Sequence, residues 1–187
     1  MSVDHPRNLT DAHTEQPKLS GRKAIITGGT TGTGRAIAVL LASEGARVFV
    51  CGRTPDHLDD ALARIREVGE GNGFAVDLTR RDEVERLFAE ADRYLGGLDI
   101  AVINAAVPVD AIVETSRDDL YYATAADFTA YLATTQAAVS RMKGGSDVVL
   151  IGSMSAVSKS PGSSIYVAAK SGIEGFSMSL RKELVMS

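Results

Sequence analysis

Residues 23–34 read KAIITGGTTGTG, and their order decides the fold. The first five are short and apolar, which suits a strand buried on both faces of a parallel sheet. A glycine-rich turn follows, and a helical pattern then runs over 35–44 to a stop at Gly45. A turn of this kind between a strand and a helix lets backbone N–H groups approach a pyrophosphate at the positive end of the helix dipole. The spacing is G-x-x-x-G-x-G, at Gly28, Gly32 and Gly34, and not the G-x-G-x-x-G fingerprint. Glycine also collects in loops for conformational reasons alone, so the flanking strand and helix carry the dinucleotide reading.

Outward from this unit, strands and helices go on alternating. RVFVC at 47–51 reads as a second strand and 55–68 as a helix. A third strand covers 73–76 and ends at Asp77, and 80–95 is helical with Val84, Leu87, Phe88 and Ala91 on one stripe. LDIAVIN at 98–104 is a fourth strand, 117–142 is one long helix or a short helical turn followed by one, 147–151 is a fifth strand, and 164–184 is the last helix. Such alternation implies right-handed crossovers and an α/β fold, a doubly wound parallel sheet whose ligand site lies beyond the strand C-termini. The glycine turn, Gly52 and Arg53, Asp77, Asn104 and Ser153 all fall on that edge.

The end of the second strand meets the adenosine ribose in a dinucleotide site, where a carboxylate suits a 2′-hydroxyl and an arginine a 2′-phosphate. Here Gly52 and Arg53 stand with no carboxylate, so NADP is the expected cofactor and NAD the second choice; an exposed loop charge is the plain alternative for Arg53. Small residues after Asn104 permit close approach of a ligand to backbone, although a turn-capping Asn reads the same way.

The second informative stretch is 151–170, IGSMSAVSKSPGSSIYVAAK. It passes from a strand end through a polar loop into a helix on which Tyr166 and Lys170, four apart, share a face. A phenol titrates near pH 10, and bringing it down about three units takes roughly 4 kcal/mol, which one close, partly desolvated ammonium can supply. Tyr166 then serves as a general acid or base, with the Ser153 hydroxyl on the same substrate oxygen. Chance also places a Tyr and a Lys four apart on many helices, so the pair draws its meaning from the strand edge around it.

At 187 residues the chain fits one domain with a core that needs no staples. A net charge of −4 gives no reason to expect nucleic acid or an anionic membrane. Cys51 is the only cysteine and sits in an apolar run, which excludes an internal disulfide and suggests structural burial. No stretch approaches a membrane span and no apolar signal core opens the chain, so a cytoplasmic protein is expected. Residues 1–18 are polar and aperiodic, the pattern of a disordered N-terminal arm. His5 and His13 there lack companions at ligand spacing, and no metal is expected.

Taken together, the T-G-x-x-x-G-x-G loop from Thr27 to Gly34, Asp77 closing the third strand, the Asn-Ala-Ala segment at Asn104, Ser153, and Y-x-x-x-K at Tyr166 and Lys170 resemble the short-chain dehydrogenase/reductase family from about Leu19 onward. The resemblance implies a Rossmann-like sheet of about five strands in the order 3-2-1-4-5. It implies that Gly28, Gly32 and Gly34 cradle the pyrophosphate and Asp77 hydrogen-bonds the adenine, with Thr27, Thr31, Thr33, Arg53, Leu78, Asn104 and Ala105 also bordering the cofactor. Ser153 would polarise a carbonyl, Tyr166 would exchange its proton, and Lys170 would bind the nicotinamide ribose.

Four departures stand against that pattern. Ile103 and Ala106 replace a polar residue and a glycine, which is expected to tighten the cofactor pocket. Thr31 stands where NADP-dependent members often carry a basic residue. Asp127 takes the place of a relay asparagine and adds negative charge near Lys170. The chain ends at Ser187, before the family's last strands and substrate lid, so a domain over 19–187 is expected to leave its fifth strand as an edge. The implied activity is hydride transfer between NADP(H) and a ketone or secondary alcohol by a homo-oligomer, a dimer or tetramer joined through the helices of 127–142 and 164–184. A truncated cofactor-binding or assembly module with little or no catalysis is the alternative.

Overall fold

A computed structural model describes residues 17–186 of the chain; the arm expected over 1–18, with His5 and His13, lies outside the described residues up to position 16. The backbone N–H of Lys18 donates to Glu44 Oε2 at 3.2 Å.

At the centre of the sheet is β1 (Lys23–Thr27), which pairs in parallel with β2 (Arg47–Gly52) on one side and β4 (Ile100–Ile103) on the other. β3 (Glu70–Ala75) lies outside β2, and β5 (Asp147–Leu150) outside β4, so the five-stranded order is β3-β2-β1-β4-β5. This is the Rossmann-like order that the family resemblance implies. Period-2 alternation sends successive side chains to opposite faces. Ala24, Ile26, Val48, Val50, Ile100 and Val102 face α1 (Gly32–Ser43) and α2 (Pro55–Arg66). Ile25, Phe49, Cys51, Ala101 and Ile103 face α3 (Arg81–Leu95) and the later helices. Both faces are covered, and Ala24, Ile25 and Ile26 are fully buried, which is why the strand is apolar at every position rather than at alternate ones.

Val84, Leu87, Phe88 and Ala91 are all buried, as the stripe on α3 implies. Cys51 is fully buried and its thiol is pushed up to about 12 by burial, which keeps it a small apolar side chain.

Three elements differ from expectation. α1 begins inside the glycine loop at Gly32 rather than at 35. β3 begins at Glu70 rather than at 73 because its glycines let it press under α2: a Cβ at Gly71 would stand 2.3 Å from Ile65, and one at Gly73 2.6 Å from Leu58. Such a Gly-Asn-Gly run has poor strand propensity, and packing overrides it. Within the polar loop, Ser155–Ser158 forms a short helix, α6, that ends at Lys159 with φ 50. The helical stretch after 116 is continuous but not uniform. It runs as α4 (Arg117–Thr124), a π turn over Ala125–Thr129, and α5 (Ala130–Val139), and Asp127 sits in the π turn. Such bulges commonly mark functional sites.

The last helix, α7 (Ser164–Met186), packs on α6, α4 and the π turn. Among the described residues β5 pairs only with β4, and Val149 on it is 43% exposed. No helix among the described residues is long and apolar enough to cross a membrane.

The glycine loop is held by contact, not by flexibility. Gly28 has φ 63, and a Cβ there would stand 2.8 Å from the Ala105 Cα. At Gly34, inside α1, it would stand 2.2 Å from the Gly28 carbonyl oxygen. A Gly→Ala change inside a helix ordinarily gains about 1 kcal/mol. Gly34→Ala is expected to lose ~1–3 kcal/mol instead, because overpacking against backbone outweighs propensity. Urea unfolding measures the difference, and a stabilised variant would contradict the packing.

Candidate active site

A cavity of about 330 Å³ opens at the C-terminal edge of the sheet, between the glycine loop, the ends of β2 and β3, and the segment after β4. Thr27 is fully buried, and its Oγ1 accepts the N–H groups of Asn104 at 2.9 Å and Ala105 at 3.2 Å. The Asn104 amide nitrogen donates to the carbonyls of Thr27 and Gly28, both at 3.2 Å. Asn104 therefore lines the cavity mainly as the pin that fastens β4 to the glycine loop.

Gly28 and Gly34 close on that pin, whereas Gly32, with φ 50, has nothing within 4 Å of where its Cβ would be. Space thus stays open beside the N-terminus of α1, where Thr31 and Thr33 are exposed. A pyrophosphate fits such a place, since free N–H groups and the helix dipole both point into it. The residues present fit a dinucleotide.

Past the end of β3, Asp77 Oδ1 accepts the Thr79 N–H at 3.0 Å and the Thr79 hydroxyl at 2.9 Å. Oδ2 accepts the Tyr122 hydroxyl at 3.1 Å, and the Tyr122 oxygen accepts Arg53 Nη1 at 2.6 Å. Burial would raise the Asp77 carboxyl, but the hydrogen bonds from Thr79 and Tyr122 and the Arg53 charge outweigh it and hold it below the usual carboxylate value. Leu78 lines the same cavity.

Ser153, Tyr166, Lys170 and Asp127 do not line this cavity; Lys170 lies near Tyr166 and Asp127, and among the described residues Ser153 has no hydrogen bond to any of the three. Lys170 is 2% exposed, and its ammonium donates to the Tyr131 hydroxyl at 3.1 Å and to the Ile151 carbonyl at 3.2 Å. Its Nζ also lies 4.3 Å from the Tyr131 ring centre and 5.6 Å from that of Tyr166. The shared helix face is as expected, but α5 and the end of β5 hold the ammonium, because a buried cation needs acceptors. Burial lowers the Lys170 pKa, and the Asp127 charge opposes that shift.

Asp127 is 1% exposed: Oδ1 accepts the Val107 N–H at 2.7 Å, and Oδ2 has no hydrogen-bond partner. Burial raises its carboxyl above 3.8, against the Val107 hydrogen bond and the Lys170 charge. Burial likewise pushes Tyr131 up, with the Tyr166 and Asp127 charges adding to it. Ser153 is half-buried and its Oγ accepts the Ser155 N–H at 3.1 Å, while Tyr166 is half-buried at the start of α7. Among the described residues no hydrogen bond joins Ser153 to Tyr166.

One expectation is corrected here. Ile103 does not tighten the cavity: strand alternation turns it into the core, where it is 1% exposed, and Ala106 alone of that pair lines the opening. Tyr122, Tyr131 and Thr79 escaped sequence reasoning. Tyr131 carried the better clue, standing four residues after Asp127 in a helix otherwise made mostly of Ala and Thr.

The profile of the short chain dehydrogenase family matches residues 22–187. Human dehydrogenase/reductase SDR family member 4 is 34% identical over 185 residues, covering 95% of this chain and 66% of that protein. Carbonyl reductase family member 4 of Xenopus laevis is 32% identical over 162 residues, covering 85% of this chain and 67% of the relative. Among solved structures, a short chain dehydrogenase from Burkholderia cenocepacia in complex with NADP superposes with a TM-score of 0.84 at 28% identity, over 89% of this chain and 69% of that one. The chain belongs to the short chain dehydrogenase family and spans about two-thirds of the length of these relatives.

A carboxyl raised in the folded state is protonated there at a pH where it is already ionised in the unfolded chain, so stability present at low pH is lost as pH rises above about 4. Asp127→Asn removes that loss. Urea unfolding across pH 4–8 is expected to show the variant gaining on the wild type as pH rises, and parallel curves would count against the buried, raised carboxyl. Tyr131→Phe leaves Lys170 short of one acceptor and is expected to cost about 1–3 kcal/mol in the same measurement at pH 7.

Proposed function

We propose that this chain is an NADP-preferring oxidoreductase that interconverts a ketone and a secondary alcohol, built as one dinucleotide-binding unit over 19–187. The observation that carries the reading is the buried Lys170 ammonium beneath Tyr166, next to a strand edge that gathers the glycine loop, Arg53, Asp77 and Asn104. Arg53 at the end of β2, without a carboxylate neighbour in that turn, supports NADP over NAD. The NADP named with the Burkholderia structure and the carbonyl reductase name of the Xenopus relative support the same cofactor and substrate class.

When bound, the nicotinamide would accept or supply the hydride. N–H groups of the glycine loop and the α1 N-terminus would hold the pyrophosphate, and Asp77 the adenine. Ser153 Oγ would donate to the substrate oxygen and polarise it. Tyr166 Oη would give its proton to that oxygen on reduction and take it back on oxidation. Lys170 would set a positive charge beside the phenol in both directions. With its free oxygen near Lys170, Asp127 would return protons to this group less readily than an amide with a bound water.

Exposed Met178 and Val185 on α7 support assembly into a homo-oligomer. A cofactor-binding or assembly module without turnover is the second reading. It is supported by the uncompensated Asp127 oxygen beside Lys170.

Tyr166→Phe is expected to cut turnover of a ketone panel by about 10²–10⁴-fold, the usual worth of a general acid, while NADPH affinity read by fluorescence stays within twofold. Retained turnover would remove Tyr166 from its role. NADPH binding with no turnover by the wild type would favour the module.

A further inference from the structure

Arg53 and Asp77 enter the reading above, but Tyr122, which joins them from α4, does not. Tyr122 reaches from α4 to the rim of the nucleotide cavity and touches two strand ends at once. Its hydroxyl proton is committed to Asp77 Oδ2 at 3.1 Å, so its oxygen lone pair faces Arg53 Nη1 at 2.6 Å. Asp77 is itself immobilised by two hydrogen bonds from Thr79 at its other oxygen. The Arg53 guanidinium lies 5.6 Å from the Tyr122 ring centre. The exposed Arg53 side chain is thus placed by reference to β3 through a chain of hydrogen bonds rather than left to swing.

The bridge fixes the arginine without a direct ion pair, although the Asp77 charge acts on it across the Tyr122 hydroxyl. Tyr122 is uncharged, and among the described residues no carboxylate forms an ion pair with Arg53. Guanidinium presents five N–H donors in a fixed fork, and the hydrogen bond to Tyr122 uses one. The others remain available at the cavity rim, where Arg53, Tyr122 and Asp77 all line the opening. A pre-placed, unpaired guanidinium is the donor set that recognises a phosphate monoester, and holding it in place lowers the ordering cost of binding.

We infer that Tyr122 is a specificity-determining positioning residue: it holds Arg53 ready for the ribose 2′-phosphate, and so sets how strongly the chain prefers NADP to NAD. The inference rests on the NADP reading given above. A 5′-nucleotide without the 2′-phosphate does not reach for Arg53, so loss of the Tyr122 hydroxyl acts on one nucleotide and spares the other.

The test is calorimetric titration with 2′,5′-ADP and with 5′-AMP, using wild type, Tyr122→Phe, Arg53→Ala and the double variant. Phe keeps the ring at a half-buried rim position, and unfolding midpoints confirm that each variant folds. The wild type is expected to bind 2′,5′-ADP more tightly than 5′-AMP. Tyr122→Phe is expected to weaken 2′,5′-ADP about fivefold and 5′-AMP less than twofold, in line with the net worth of one ordinary hydrogen bond. In the Arg53→Ala background the same change is expected to have no effect on 2′,5′-ADP.

Equal weakening of both nucleotides, no weakening of either, or a fivefold loss that persists without Arg53 would each overturn the inference while leaving the cofactor reading intact. A wild type that binds neither nucleotide, or binds 5′-AMP as tightly as 2′,5′-ADP, would overturn the NADP reading and the inference together.

Discussion

The site depends on one buried ammonium. Lys170 is almost completely removed from water, and an ion in that position is tolerated only if its donors are met. Two of its three are met by groups from other elements, the Tyr131 hydroxyl on α5 and the Ile151 carbonyl just past β5. Tyr131 donates in turn to the same carbonyl at 2.8 Å, so α5, α7 and the end of β5 close on a single triangle. Tyr166, one helical turn before Lys170, is placed by that triangle as much as by its own packing.

A second constraint ties this triangle to the nucleotide cavity. Residues 104–107 follow β4 and serve both groups. Asn104 pins the glycine loop through Thr27 and Gly28, and the Val107 N–H holds Asp127, whose charge acts on Lys170. Four residues of backbone therefore couple the place where a pyrophosphate fits to the buried Lys170 group. Gly28 stays without a side chain for the same reason, since a Cβ there would stand 2.8 Å from the Ala105 Cα.

Most of the fold was legible before any coordinates, because its signals are local. Apolar runs such as KAIIT declare strands buried on both faces, the Val84, Leu87, Phe88 and Ala91 stripe declares an amphipathic helix, and alternation of the two declares a parallel sheet. What failed was also physical. The Gly-Asn-Gly run of β3 has no strand propensity and becomes a strand only because α2 packs on it at close range. α6 is a single turn with no period to detect, and the π turn around Asp127 cannot be told from ordinary helix by residue type alone.

By itself, the sequence determined the order of elements, the strand edge on which the candidate residues collect, and the pairing of Tyr166 with Lys170, since each follows from spacing along one element. Only the tertiary structure decided which groups satisfy the charged ones. Tyr131 for Lys170, Tyr122 for Arg53 and Asp77, and Val107 for one oxygen of Asp127 come from 20 to 69 residues away. No local pattern specifies such partners, because a charged group takes whatever donor or acceptor the packing of distant segments brings within reach.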